Sequence, residues 1–175
     1  MIQGRELTRA EILDLWSIDR AEVIDNVYYY ENGALVLKPE HWDVKGFPPG
    51  EPEMFTPHLL ACYERGGWFY GLFDNDRLIA EVVLDRQFIG PRRDLLQLKA
   101  LFVSKDYRDQ GLGRRLFELA ADKARSLGAK GLYISATPSE HTIDFYKRLG
   151  CTPVATPDPE LFALEPEDIH LECPI

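Results

Sequence analysis

The stretch from 95 to 136, LLQLKALFVSKDYRDQGLGRRLFELAADKARSLGAKGLYISA, constrains the fold more than any other, because its hydrophobic period changes twice within it. DLLQLKALFV alternates as a strand does, with Leu96, Leu98, Ala100 and Phe102 predicted on one face and Gln97, Lys99 and Leu101 on the other. Leu112, Leu116, Leu119, Ala120 and Leu127 then recur at helical spacing, one apolar face of a helix that Gly128 ends. GLYISA returns to a short strand. A strand and a helix joined through DYRDQGLG leave few architectures open, and with the strands flanking them the chain reads as α+β, or mixed α/β.

The remaining elements are read from their punctuation. Thr8 with Glu11 three residues on opens a first helix as a capping box, ending near Ile18. DRAEVIDNVYYYENG reads as helical or irregular, and ALVLKP as a short strand halted by Pro39. DVKGFPPGEPEMF is a loop, and Thr56 before Pro57 marks a helix start. WFYGLF, the turn DND and RLIAEVVLD form an antiparallel hairpin. SEHTIDFYKRLG is a second well-defined helix and DIHLEC a last strand.

A chain of 175 residues suits one domain with its own core. A net charge of -9 argues against nucleic acid, whose binding draws on cationic side chains. No apolar run approaches the length of a membrane span and the first residues lack a signal-peptide layout, so a soluble, cytoplasmic protein is expected. Cys62, Cys151 and Cys173 show no paired spacing and are expected as reduced thiols. His41, His58, His141 and His170 are scattered as surface or packing residues, and no metal site is implied.

A glycine-bearing turn that opens a helix presents backbone N–H groups to an anion. The first N–H groups of a helix have no intrahelical partner, and the dipole adds about half a positive charge there. Phosphate is the natural guest, with Gly111 and Gly113 permitting close approach and Arg108, Arg114 and Arg115 able to supply charge. The dinucleotide fingerprint fails, since Leu116 stands where its third glycine belongs, and the phosphate-loop pattern is absent.

Strand, then V-x-x-x-Y-R-x-x-G-x-G, long helix, strand, and a helix carrying FYKRLGC: this order resembles the GNAT (GCN5-related N-acetyltransferase) superfamily. Arg108, Gly111 and Gly113 match the family's glycine motif, and the resemblance covers residues 68–155. It implies the GNAT fold, a central mixed, mostly antiparallel sheet flanked by helices. Within one N-acetyltransferase domain spanning 1–175, residues 1–66 would recognise substrate, 68–155 would bind acetyl-CoA and 156–175 would form the C-terminal strand region.

The resemblance also implies roles. Arg108, Asp109, Gln110, Gly111, Leu112, Gly113 and Arg114 would hold the pyrophosphate of acetyl-CoA through their backbone. Leu101, Phe102 and Val103 would bond the pantetheine arm as an added strand does, one N–H polarising the thioester. Tyr146 stands where the family's tyrosine protonates the departing thiolate. Ser139 stands where many relatives carry an Asn near the cofactor. Gln97 occupies the place of a glutamate base in the histone-modifying branch, and an amide cannot take a proton. Glu81 on the neighbouring strand is the substitute, with Asp85 and Asp94 behind it.

Substrate recognition is expected in IDRAEVIDNVYYYENG: Asp19, Glu22 and Asp25 could attract an amine, Arg20 could clamp a carboxylate, and Tyr28, Tyr29 and Tyr30 could wall a pocket, with Gln97 nearby. The resemblance thus implies direct acetyl transfer from acetyl-CoA to a small-molecule primary amine. Two alternatives stay open: a non-catalytic acyl-CoA-binding or interaction module on the same fold, and a protein amine as acceptor. The family resemblance also leaves room for a homodimer.

Overall fold

The computed structural model describes residues 1–175. Strand β1 (Ile2–Glu6) leads into a 3₁₀ helix (Arg9–Ser17), then β2 (Glu22–Glu31) and β3 (Ala34–Val44), which pair antiparallel. Helix α1 (Glu51–Glu64) precedes β4 (Trp68–Asp74), β5 (Arg77–Ile89) and β6 (Leu95–Val103). Helix α2 (Leu112–Ser126), β7 (Gly131–Ala136) and α3 (Glu140–Arg148) follow. Last come β8 (Thr152–Pro153), the short α4 (Pro159–Leu164) and β9 (Ile169–Pro174). No helix is long and apolar enough to cross a membrane.

Seven strands form one sheet in the order β1-β4-β5-β6-β7-β9-β8, antiparallel throughout except between β6 and β7. Each face buries an apolar layer. On one, Leu116, Phe117, Ala120, Ala121 and Ala124 of α2 meet Leu72, Val82, Leu84, Leu96 and Leu98; the alanines let helix and sheet lie close. On the other, Ile12 and Leu15 of the 3₁₀ helix and Leu59 and Cys62 of α1 cover Phe69, Phe73, Leu78, Val83 and Ala100. The expected α+β class is observed, as are the β4–β5 hairpin, β6, α2, β7, α3 and β9.

Five expectations are corrected. The YYYENG region, expected to be helical or irregular, is β2 and its turn. Asn32 and Gly33 take φ of 49° and 80°, the left-handed pair that closes a two-residue hairpin between Glu31 and Ala34. Pro39 does not halt β3; it sits opposite Asn26 beside a register shift, where a missing N–H is tolerated. Helix α1 starts at Glu51 rather than Thr56, behind Gly50 with φ 86° and with Pro52 in its first turn, so Pro57 lies inside it.

The single alternation expected along β6 also breaks. Val83 pairs with Ala100 but Leu84 with Leu98, so Lys99 is an extra residue, a β-bulge. Leu96 and Leu98 therefore face α2, whereas Ala100 packs in the α1 layer with Phe102 against it. Finally, β8 sets Thr152 opposite Glu172, which brings Cys151 and Cys173 to a Cα–Cα distance of 4.2 Å, joined as a disulfide. The expectation of three reduced thiols fails there because sheet pairing, not local spacing, makes the pair; Cys62 is free and buried.

Candidate active site

Strands β6 and β7 pair only where Leu95, Leu96 and Gln97 meet Gly131, Leu132 and Tyr133. Beyond that they splay, and the facing backbone edges of residues 98–103 and 134–136 have no strand between them. A cavity of about 400 Å³ fills the gap, lined by both strands, by Gly111 to Arg114 and by Phe145 and Tyr146 of α3. An extended ligand arm laid there could bond to β6 as an extra strand would.

At the cavity's rim the turn before α2 is shaped by two left-handed residues, Asp109 at φ 58° and Gly111 at φ 79°. Gly111 caps α2, and a Cβ on it would meet nothing within 4 Å, so its requirement is conformational and the space beside it is open. A Cβ on Gly113 would make ordinary contact with Phe145 at 3.5 Å. The first N–H groups of α2 are left for a guest.

The Arg108 side chain has a different task from the charge donor expected. Its guanidinium donates to the carbonyls of Val103 (3.0 Å), Ala21 (2.9 Å) and Asp19 (3.2 Å), clamping the segment before β2 to the end of β6. Arg114 pairs with Glu118 at 2.8 Å on the helix surface. Gln110 turns outward, donating to the Asp106 carbonyl at 3.3 Å, and does not line the cavity.

Tyr146 lies 5 % exposed, yet its hydroxyl makes no hydrogen bond within the protein, and the residue lines the cavity. Burial raises the phenol above its ordinary value, so it stays protonated at neutral pH. The hydroxyl is thus a donor without a protein partner on a residue that lines the cavity, free to bond a ligand there.

Of the other expected residues, Leu101, Phe102, Val103, Asp109, Leu112, Arg20 and Glu22 line the cavity. Ser139 does not: it caps α3, accepting from the Thr142 N–H at 3.4 Å and donating to the Thr142 hydroxyl at 2.9 Å. Asp19 is outside as well, its carboxylate taken by the Ala21 N–H at 2.9 Å. Tyr29 points away on the exposed hairpin and donates to Glu40 at 2.7 Å. Asp25 is paired there with His41 at 2.7 Å. Gln97 borders a smaller neighbouring cavity of about 60 Å³, accepting from Lys99 at 3.2 Å.

The substitute base does not reach the site. Glu81 is fully buried on the α1 face of β5, neither carboxylate oxygen has a partner, and it lines neither cavity. Burial, with Asp14 adding to it, drives its carboxyl well above the ordinary range, so the group is held neutral. Asp85 is the opposite case: burial would raise it, but Arg65, bonded at 2.8 and 2.5 Å, and Lys99 hold it down at about 2. Asp94 is paired with Arg92 at 3.0 Å.

Glu51, Glu165 and Asp168 also line the main cavity and were not anticipated. Glu51 meets Arg20 at 3.1 Å, and Arg20 reaches on to Thr137 at 3.0 Å. Burial, then a hydrogen bond and charge from Asp168, then charge from Glu51, raise the Glu165 carboxyl; Lys99 opposes them. Neither LEPEDIH nor PGEPEMF carries a local motif, so only the fold brings these acids together.

A mixed sheet whose two parallel strands splay beside a glycine-capped helix, with a buried tyrosine opening between them, defines the coenzyme cleft of the GNAT fold. The chain belongs to that family: the Acetyltransferase (GNAT) family matches residues 34–151. An uncharacterized N-acetyltransferase of Brevibacillus brevis is 36% identical over 93 residues, 49% of this chain and 55% of the relative. The chain thus spans about half the length of the curated relatives it matches. In fold it is similar to nourseothricin acetyltransferase, with a TM-score of 0.69 and 19% identity over 99% of this chain and 98% of that one. A Bacillus anthracis protein solved in complex with acetyl coenzyme A gives a TM-score of 0.68 at 17% identity, covering 100% of both chains.

Proposed function

We propose that the protein is an acetyl-CoA-dependent N-acetyltransferase of the cytoplasm, moving the acetyl group directly to the primary amine of a small cationic molecule. One observation carries this reading: the open turn at Gly111, the unpaired edge of β6 and the free hydroxyl of Tyr146 face a single cavity. The residues fit the coenzyme. The N-terminus of α2 would take the pyrophosphate, the edge of residues 98–103 the pantetheine arm, and a β6 N–H the carbonyl oxygen. Bound acetyl-CoA supplies an activated thioester carbonyl. Tyr146, protonated, donates to the sulfur as it leaves.

The acceptor end of the cleft supports a cation. Glu51, Glu165 and Asp168 gather there with Arg20 and Lys99, and Arg20 is already paired with Glu51. The likeness of the fold to nourseothricin acetyltransferase, named for a small-molecule acceptor, agrees with that. The test is isothermal titration with acetyl-CoA of wild type and Gly113→Glu, whose carboxylate would stand where the pyrophosphate belongs. Binding by wild type and none by the variant is expected; equal binding by both would move the coenzyme elsewhere.

A further inference from the structure

We propose that Glu165 is the base that takes the proton from the acceptor ammonium, with Asp168 as its positioning partner. The assignment rests on the acetyltransferase reading and deepens it at the acceptor end of the same cleft. An ammonium has no lone pair, so its nitrogen must lose a proton before it can attack. The family's strand position holds Gln97, which cannot accept one, and Glu81 is sealed away from both cavities. Asp85 is spent on Arg65 and Lys99, and Glu51 on Arg20. Glu22, Asp109, Glu165 and Asp168 are left, and of these only Glu165 lines both cavities, which meet around Lys99, Ala100 and Phe102.

A second side chain points to a ligand there. Tyr146, 5 % exposed and unpartnered, opens on the same cavity, so an acid and a base candidate face one space. The backbone of Glu165 is also held from several sides. Its N–H donates to Leu161 at 3.0 Å, and its carbonyl accepts from the Asp168 N–H at 3.3 Å and from His170 Nε2 at 3.1 Å. His170 is oriented in turn by the Tyr133 hydroxyl, 2.7 Å from Nδ1, which places the ring proton on Nε2.

The charged groups around the Glu165 carboxyl are Asp168 on its own segment, Glu51 and His58 on α1, Lys99 on β6 and Arg20 ahead of β2. Burial, with Asp168 beside it, favours the protonated form of Glu165 at neutral pH. An arriving ammonium brings a positive charge beside Glu165 and favours release of its proton. Ionised Glu165 then takes one proton from nitrogen; the C–N bond forms as the C–S bond breaks, and Tyr146 gives its proton to sulfur. The nitrogen's second proton restores Tyr146, and the first stays on Glu165 and restores its resting protonated form, so the proton given up when the ammonium binds is the one that leaves per turnover.

The experiment measures acetyl-CoA affinity by titration and thiol release with 1,4-diaminobutane as acceptor, from about pH 6 to about pH 10, on wild type, Glu165→Gln, Glu165→Asp and Asp168→Asn. Expected are unchanged acetyl-CoA affinity in all four and a kcat about 100-fold lower in Glu165→Gln. Partial recovery is expected in Glu165→Asp, as is a rising limb of kcat displaced to lower pH in Asp168→Asn. Wild-type kcat in Glu165→Gln, or a loss confined to KM, would overturn the assignment. Acetyl-CoA binding without acetylation of diaminobutane would overturn it too, while leaving the coenzyme reading standing; failure to bind acetyl-CoA strikes that reading itself.

Discussion

Tyr28 donates its hydroxyl to Asp144 at 2.7 Å, and this bond fastens the β2–β3 pair to α3, the helix that carries Tyr146. The Tyr28 N–H adds a bond to the Pro138 carbonyl at 2.7 Å, and Asn26 reaches Glu140 at 2.8 Å. A hairpin outside the main sheet is thereby held against the helix that carries Tyr146, with Glu22 at its start lining the cavity. Tyr28→Phe leaves Asp144 unpaired and should cost about 1.5–3 kcal/mol, read by urea unfolding. The hydrogen bond raises the phenol to about 12, above its unfolded value of about 10. Its stabilisation is therefore complete below about pH 10 and is lost as pH rises through about 12. Equal stability of the two proteins at neutral pH would refute the fastening role.

The two glycines of the turn should separate in a simple pair of variants. Gly111→Ala forces an L side chain into φ 79° and should lower stability by about 1–2 kcal/mol, although nothing crowds its methyl group. Gly113→Ala meets only ordinary contact with Phe145 and should leave the melting temperature unchanged or slightly raised. A larger loss at position 113 than at 111 would contradict this assignment of their roles.

Tyr146→Phe should cut kcat by about 10²-fold or more with acetyl-CoA affinity and melting temperature both unchanged, because the hydroxyl has no partner in the protein to lose. Burial holds the phenol above its ordinary value, so wild-type kcat should show no falling limb below about pH 10 from this group. A full-rate Phe variant would remove Tyr146 from the chemistry.

The glycine-turn side of the cavity was legible because it is local: turn, capping glycine and the helix face that follows lie within a few residues of one another. The acidic side was not. Glu51 and Glu165 stand 114 positions apart and meet only through the sheet. The β2–β3 pair could have been found, since Asn32-Gly33 between apolar runs is a hairpin signal; the interleaved acids drew attention to a wet helix face instead. The bulge at Lys99 left no mark, because an inserted residue in an apolar strand reads as continued alternation, and so the faces of Ala100 and Phe102 came out reversed.

The disulfide predicts a count. Thiol titration in denaturant without reductant should find one reactive thiol per chain, Cys62, and three after reduction. Reduction opens a loop of sequence separation 22 and should cost about 3 kcal/mol of stability. Three thiols without reductant would show Cys151 and Cys173 adjacent but unjoined.

Glu81 places an uncompensated carboxyl in the layer between the sheet and α1. With its folded-state value raised above the unfolded one, the native state binds the extra proton, so this group's contribution declines as pH rises above the unfolded value of about 4.3 toward the folded one. The slope cannot exceed about 1.4 kcal/mol per pH unit. Glu81→Leu removes the polar group, keeps most of the volume and should stabilise the protein at neutral pH by about 1–3 kcal/mol, flattening that slope. Because Glu81 touches neither cavity, the variant should retain acetyl-CoA affinity and kcat. Chemical unfolding at two pH values together with thiol-release kinetics decides the matter: a more stable, fully active variant makes Glu81 a buried neutral acid of the core, whereas a stable variant with kcat lost would return the base role to β5 and take it from Glu165.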